Sequence, residues 1–361
     1  MRIGIIIGKE GEEYLYDDIR KVVPSKYYKT DVYGKQIINT DVAIAYTIKE
    51  RYPLLKMDII EPKNLSLQRL KKNDINFILG YDYISSLNES PYIKKFAGVE
   101  GSNKIAEMYA SPSSKIFPSF NFLSFIWDKK RYLQHLQKHN IPISETIFFK
   151  GNQNHMKLLQ KIQRYKWSYF IIKPNGGTEK GGVKIFSVKE LLKQPSKLAD
   201  YFSEMGEIWN EFLVQERIDG FLKYGEIKSY WMDGKFSYAV NIQDKNTDEP
   251  DENGDVFIYD DLIVHTEIID KKVLDEIKKI GGKVIECIPK ISFNRKRVLP
   301  AMVRIDFACC LHNRPKKASN YYVNEIEHQD AGSLTDMEEI KYPYVEVMAD
   351  TFVKKCNELK L

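Results

Sequence analysis

The pattern of hydrophobic and polar positions changes its period repeatedly along the first third of the chain. Short apolar runs predict strands at 3–7, 57–60 and 76–79, and a helical pattern covers 42–51. Strands that alternate with helices favour a mostly parallel α/β sheet. We therefore predict an N-terminal α/β domain.

A glycine-rich loop between two apolar runs marks the middle of the chain. Leucines and aromatic residues at helical spacing predict a helix that stops near Asn140, and a strand follows at 146–148. The stretch YFIIKPNGGTEKGGVKIFSV, residues 169–188, then encloses four glycines between two strand-like runs. A hairpin turn needs only one or two glycines, so this loop indicates a backbone that approaches a ligand closely, and phosphate is the ligand it suits.

The last third of the chain reads as strands with one long helix. The segment YGEIKSYWMDGKFSYAV has a hairpin turn at MDGK, a helix is predicted at 271–288, and the strands VRIDFACC and YYVNEIE follow. The acidic, turn-rich segment 243–255 is predicted to be an exposed loop. Together these patterns predict domains at 1–125, 126–213 and 214–361.

Three carboxylates are carried by the last two predicted strands. Asp306 lies in an apolar run, and Glu325 and Glu327 alternate, so both glutamates share one face of their strand. If the strands pair, the three acids converge, and a cluster of hard oxygen ligands suits Mg²⁺ bound together with phosphates. The alternative is that these acids lie on an edge strand and face water.

Lys173 ends a predicted strand directly before Pro174 and the glycine-rich loop. It is placed to contact a phosphate oxygen while the loop's backbone N–H groups cover the rest. The alternative is an ordinary lysine that extends its charged end into solvent. The loop is not a P-loop, because it lacks a GK[ST] ending and joins two strands.

Six segments in order resemble the ATP-grasp superfamily of carboxylate-amine ligases, which includes D-alanine-D-alanine ligase, glutathione synthetase and the ribosomal-protein glutamate ligases. They are PSFNFLSFIWDKKRYLQHLQKHNIPISET, FIIKPNGGTEKGGV, FLVQERIDG, GEIKSYWMDGKF, MVRIDFA and YYVNEIEHQDAGS, within residues 118–333. The resemblance implies an ATP-grasp fold of α/β class, with a pre-ATP-grasp domain and two lobes that clasp ATP.

The resemblance also implies a set of nucleotide-binding residues. These are Lys129, Lys173, Gly176, Gly177, Gly181, Gly182, Gln215, Glu216, Arg217, Ile218 and Glu226. The two lysines would contact phosphates, and the glycines would form a lid. Lys130 is an alternative to the adjacent Lys129 for the first of these phosphate contacts. Residues 215–218 would be the interlobe hinge at the adenine, and Glu226 would lie near the ribose.

Catalytic and metal roles are implied in the same way. Lys228 occupies the place of an arginine near the γ-phosphate, and Arg304 would steady an acyl-phosphate or a tetrahedral oxyanion. Asp306, Glu325 and Glu327 would hold Mg²⁺, with Mn²⁺ as a substitute. Glu327 departs from the family's E-x-N pattern.

Residues beyond this set are open to two interpretations. QDAGS replaces the family's usual SPG turn, so Asp330 and Ser333 are candidate substrate contacts. His328 is either a base or a structural histidine.

The implied activity is an ATP-dependent ligation. ATP would phosphorylate a small-molecule or peptide carboxylate, and an amine or a similar nucleophile would then displace phosphate. Positioning and charge neutralisation dominate such chemistry, which fits the lack of a convincing Ser-His-Asp or Cys-His set. A phosphotransferase and a non-catalytic nucleotide-binding module are the alternatives.

Composition narrows the partners and the compartment. The chain has 361 residues, 43% of them hydrophobic and 29% charged, and a net charge of +5 that does not point to nucleic acid. No apolar run is long enough for a membrane span, and the start resembles a strand more than a signal peptide, so a cytoplasmic protein is expected. The four cysteines show no CxxC spacing, which indicates neither disulfides nor a zinc site. The sequence does not decide between a monomer and a homodimer.

Overall fold

The structure is a computed structural model. It describes residues 1–8, 13–14, 22–30, 34, 36–79, 107–176, 181–218, 220, 224–244, 262–265, 270–310, 320–328, 331–335 and 340–359.

The N-terminal part is built on a four-stranded parallel sheet of order β5-β1-β6-β7. Its strands are β1 (Arg2–Ile6), β5 (Lys56–Ile60), β6 (Ile75–Ile78) and β7 (Ile116–Phe117). A smaller sheet contains β2 (Glu13–Tyr14), β3 (Lys29–Thr30) and β4 (Gln36–Asn39), and the helices are α1 (Thr40–Arg51) and α2 (Leu67–Leu70). The predicted parallel pairing is confirmed.

The middle part holds an antiparallel sheet of order β10-β9-β11-β8. Its strands are β8 (Thr146–Lys150), β9 (Tyr169–Pro174), β10 (Lys184–Ser187) and β11 (Glu211–Glu216). The helices are α3 (Phe120–Trp127), α4 (Lys129–Lys138), α5 (His155–Tyr165), α6 (Val188–Lys193) and α7 (Ser196–Gly206). The glycine-rich loop joins β9 to β10, as predicted.

The last part centres on a five-stranded sheet of order β14-β13-β12-β17-β18. Its strands are β12 (Glu226–Met232), β13 (Lys235–Asp244), β14 (Leu262–His265), β17 (Met302–Cys309) and β18 (Tyr321–His328). A two-stranded ribbon contains β15 (Ile291–Phe293) and β16 (Lys296–Val298), and the helices are α8 (Lys271–Cys287) and α9 (Tyr344–Leu359). Asp233 and Gly234 both have positive φ at the β12–β13 turn, as a type I′ hairpin requires.

Helix α9 packs on the N-terminal part of the molecule. Phe352 stacks on Phe77 of β6 with ring centroids 4.2 Å apart, and Phe77 also meets Phe117 of β7 edge to face. The Tyr52 hydroxyl, just after α1, donates a hydrogen bond of 2.7 Å to Asp350. The first and last segments therefore share one core.

Two sequence predictions need comment. The predicted loop 243–255 is wrong at its start, because Gln243 and Asp244 continue β13 by pairing with β14, and 245–255 lies outside the described residues. The two boundaries between the three predicted domains stay a prediction; β11 runs across the one at 213/214. Of the described helices, none has the length and apolar character that a membrane span requires.

Candidate active site

Three neighbouring strands place charged side chains in rows across one sheet face. Lys228 of β12 lies opposite Asp306 of β17, which lies opposite Glu325 of β18. In the adjacent row Arg304 lies opposite Glu327. Because residues two apart on a strand share a face, antiparallel pairing gathers all five side chains on the same side. The predicted convergence of the three acids on one face is observed.

Asp306 is the most buried member of this group, with 1% of its surface exposed. Arg304 holds it through two bonds, from Nε at 2.9 Å and from Nη2 at 3.0 Å, and Lys228 Nζ lies 2.8 Å away. The same ammonium is 2.9 Å from Glu226. Asp306 does not face water, which excludes the edge-strand alternative for this residue.

The two glutamates of β18 have different cationic partners. Glu327 accepts from Arg304 Nη2 at 2.6 Å, and Glu325 pairs with Lys129, the first residue of α4. Lys129 therefore reaches this face from outside the sheet. Its neighbour Lys130 turns elsewhere, with Nζ 2.6 Å from Glu211 of β11.

Burial and charge separate the two glutamates electrostatically. Burial favours the neutral form of Glu325, but the Lys129 ammonium outweighs it and lowers the pKa to about 2. Burial raises the pKa of Glu327 to about 7; Arg304 opposes the shift, and the carboxylates of Glu325 and Asp306 add to it. Glu325 is therefore ionised at neutral pH, whereas Glu327 is protonated more readily.

Lys173, at the end of β9, also reaches this face. Its Nζ donates to Asn324 Oδ1 at 3.3 Å, and Asn324 Nδ2 donates to Glu226 at 2.7 Å. Burial and the nearby Lys129 ammonium lower the pKa of Lys173, which marks a cation with incomplete compensation. An anion such as phosphate would supply the missing charge.

Sequence reasoning missed Asn324. Strict alternation would turn this side chain away from Glu325, but the register of β17 and β18 shifts between Asp306 and Phe307, so Asn324 is the extra residue of a β-bulge. The displacement lets its amide join Lys173 to Glu226. No pattern in the sequence marks the bulge.

The ends of the glycine-rich loop have the conformation that glycine permits. Gly176 has φ +79° and Gly182 has φ +70°. A Cβ on Gly182 would lie 2.8 Å from Pro174 Cγ and 3.0 Å from Trp209 Cζ3, and its carbonyl accepts from the Tyr201 hydroxyl at 2.6 Å. Gly181 is also described, and Gly177 lies outside the described residues. The loop is thus anchored at its second end.

The first end of the loop is joined to the start of α4. Asn175 Nδ2 donates to Asp128 Oδ1 at 3.1 Å, and Asn175 Oδ1 accepts from the backbone N–H of Lys130 at 3.1 Å. Asp128 also caps α4 through the N–H of Arg131. The loop and Lys129 therefore rest on a common support.

Residues 215–218 run from the end of β11 in the middle sheet toward the five-stranded sheet. Gln215 is buried and donates from Nε2 to Thr146 Oγ1 at 2.9 Å, and the Arg217 guanidinium lies 5.4 Å from the Tyr169 ring centroid. Ile218 packs in a small buried cluster with Tyr322 of β18. Glu216 ends β11 and is partly exposed. A hinge position fits this placement, and adenine contact stays a prediction.

Two of the three remaining candidates, His328 and Ser333, are among the described residues. His328 is buried, faces away from the glutamates by strand alternation, and has its ring centroid 6.1 Å from that of Trp127, which favours the structural interpretation. Ser333 is buried and its hydroxyl lies 2.8 Å from that of Thr335. Asp330 lies outside the described residues.

The donor set fits Mg²⁺. Asp306, Glu325 and Glu327 offer hard carboxylate oxygens on one face. Burial is the largest cause of the raised pKa of Glu327 and the nearby carboxylates of Glu325 and Asp306 add to it, so a divalent cation beside them would favour the charged form of Glu327. Lys129, which pairs with Glu325 in this structure, would then be available to other anions.

Comparison with family models finds no match, and comparison with curated proteins finds none. Among solved structures, the D-cycloserine synthetase DcsG has a TM-score of 0.62 at 12% identity over 98% of this chain and 99% of that one. A Bacillus anthracis D-alanine-D-alanine ligase solved with ATP has a TM-score of 0.57 at 13% identity, over 100% and 98%.

The ATP-grasp ligase PsnB, solved with a minimal precursor, has a TM-score of 0.59 at 12% identity over 98% of both chains, and a further PsnB structure contains Mg and ADP. All three similarities extend along nearly the whole of this chain. The chain therefore has the ATP-grasp fold, as its sequence motifs predicted.

Proposed function

We propose that this protein is an ATP-dependent ligase that activates a carboxylate as an acyl-phosphate and joins it to an amine or a similar nucleophile. The observation that carries the proposal is the charged face of β12, β17 and β18, onto which Lys129 and Lys173 converge from outside the sheet. Four cations and three convergent carboxylates provide the charge pattern that a metal-bound triphosphate needs.

In the first step the protein orients the triphosphate and the carboxylate. Lys129 and Lys173 would bind phosphate oxygens, and Lys228 would contact the γ-phosphate. Mg²⁺ held by Asp306, Glu325 and Glu327 would neutralise phosphate charge. A substrate carboxylate oxygen then attacks the γ-phosphorus, the bond to the β-phosphate oxygen breaks, and ADP leaves.

In the second step the nucleophile adds to the acyl carbon and inorganic phosphate leaves. Arg304 is suited to the developing oxyanion, because Asp306 fixes its guanidinium plane through two hydrogen bonds. The glycine-rich loop would close over the phosphates, and small residues there permit close backbone approach.

Structural neighbours favour ligation over simple phosphoryl transfer. DcsG is called a synthetase, and the Bacillus anthracis enzyme and PsnB are called ligases. At 11–13% identity these matches support the reaction class and leave the substrates to experiment.

Hydroxylamine trapping tests the proposed intermediate. The protein is incubated with Mg·ATP, hydroxylamine and pools of small carboxylates or peptides, and hydroxamates are sought by mass spectrometry. Attack of the hydroxylamine nitrogen on an acyl-phosphate releases phosphate and leaves the hydroxamate. ADP formation should rise with the same pools that give hydroxamate, and Glu325→Gln should give neither.

Two other results would exclude the proposal. A stable phosphorylated acceptor without condensed product would identify a phosphotransferase. Nucleotide binding without turnover against any pool would identify a non-catalytic module.

A further inference from the structure

A second group of potential ligands lies outside the charged face. His135 is on the last turn of α4, His139 immediately follows that helix, and Cys287 is the last residue of α8. One ligand atom from each side chain lies within 4.8 Å of the other two. Because Cys287 is remote in sequence from the two histidines, no local spacing pattern marks the group, and the lack of CxxC spacing does not bear on it.

Each histidine uses one ring nitrogen for a hydrogen bond to a backbone carbonyl. A ring nitrogen of His135 donates to the Cys287 carbonyl at 2.7 Å, and one of His139 donates to the His135 carbonyl at 2.9 Å. A carbonyl only accepts, so each neutral ring keeps one nitrogen with a lone pair. Donation to a carbonyl from the other nitrogen is the arrangement that orients metal-binding imidazoles.

Cys287 adds a soft sulfur ligand to the two imidazole nitrogens. Its thiol is partly buried and donates to the Val284 carbonyl at 3.3 Å, and burial raises the pKa of Cys287 to about 11. The thiol is therefore protonated until a metal displaces its proton. Two imidazole nitrogens and one thiolate suit Zn²⁺, and water can complete a tetrahedron beside the exposed His139.

We propose that His135, His139 and Cys287 form a Zn²⁺ site that joins the end of α4 to the end of α8. Binding would exchange the thiol proton for a sulfur–zinc bond, with release of that proton to solvent. Since α4 begins at Lys129, an ion at its other end would fix the helix that delivers this lysine to Glu325. The site is independent of the proposed ligase activity.

Cobalt spectroscopy tests the site directly. Untagged protein is stripped with a chelator, saturated with Mg²⁺ to fill carboxylate sites, and titrated with Co²⁺ and then with Zn²⁺ against a chromophoric competitor. A thiolate-to-cobalt charge-transfer band that saturates at one equivalent, and that Zn²⁺ abolishes, is expected. The carboxylates of the charged face cannot produce this band because they contain no sulfur.

Variants identify the ligands. Cys287→Ser should remove the charge-transfer band, and His139→Gln should weaken Zn²⁺ binding by about 100-fold or more, since loss of even an outer contact costs 10–100-fold. His155→Gln is the matched control, because a ring nitrogen of His155 also bonds the backbone carbonyl four residues earlier, at 3.0 Å. This variant should bind Zn²⁺ as tightly as the unmodified protein does.

Either of two outcomes overturns the proposal. The first is a wild-type protein that shows no charge-transfer band. The second is Zn²⁺ affinity that is the same in His139→Gln and in His155→Gln. His139 is exposed, so its substitution tests binding without disturbing the fold.

Discussion

At the scale of single residues, the charged face is held together by mutual charge compensation. Glu226, Asp306, Glu325 and Glu327 are distributed among Lys129, Lys173, Lys228 and Arg304. A buried charge that loses its partner is costly, so substitutions here affect stability as well as catalysis. Pairs of variants that separate the two effects are therefore the most informative.

The two adjacent lysines should differ sharply. Lys129→Met should reduce turnover by about 100-fold or more, because it removes the ammonium group beside Glu325 to which phosphate oxygens would bind. Lys130→Met should reduce turnover by less than about 10-fold, because its pair with Glu211 is about one-third exposed. ATP turnover under saturating Mg²⁺ measures both. Equal losses would show that the assignment to Lys129 is wrong.

The two glutamates of β18 should also differ. Glu325→Gln should abolish turnover. Glu327→Asn should retain part of it, because asparagine is the usual residue of the family's pattern and Asp306 still holds Arg304 through two bonds. Steady-state kinetics with unfolding midpoints for both variants provides the comparison. Inactive but folded Glu327→Asn would reveal a role that charge alone does not explain.

At the scale of elements, the glycine-rich loop is the part whose conformation the proposed function requires. Gly176→Val should lower turnover more than stability, because its positive φ disfavours a branched side chain in a loop that must close over phosphates. Gly182→Val should lower both, because its Cβ meets Pro174 and Trp209. Turnover and thermal unfolding separate the cases. Normal turnover in Gly176→Val would show that this loop is only a structural turn.

Asn175 connects this loop to α4, so its loss should affect two elements together. Asn175→Ala removes the bonds to Asp128 and to the Lys130 amide. We expect a KM for ATP raised several-fold, with faster hydrogen exchange at both the loop and the first turn of α4. Faster exchange at the loop alone would show that the support is not shared.

Local patterns predicted most elements, and they also predicted the three convergent carboxylates and the glycine-rich loop, whereas Lys129, Lys228 and Arg304 came from the resemblance to a known family. Strand periodicity placed Asp306, Glu325 and Glu327 on one face, and the glycines located the loop. Features that depend on distant packing were not predictable. The bulge at Asn324, the choice of Lys129 over Lys130 and the approach of Cys287 to His135 all arise from contacts between segments remote in sequence.

At the scale of the whole molecule, α9 joins the C-terminal and N-terminal parts. Phe352→Ala should lower the free energy of unfolding by about 3–5 kcal/mol, because the ring is fully buried against Phe77. Leu54→Ala, at a residue that is 96% exposed, is the control and should change stability by less than about 0.5 kcal/mol. Denaturant titration measures both. A small effect of Phe352→Ala would mean that α9 docks only weakly.

The position of α9 has a consequence for how the chain is made. Strands β1, β5, β6 and β7 all precede α9 in the chain, so Phe77 has no Phe352 to cover it until α9 has been synthesised. If the N-terminal sheet folded during synthesis, its apolar surface at Phe77 would stay exposed until then. Exposed apolar surface of this kind is where a nascent chain aggregates or binds a chaperone.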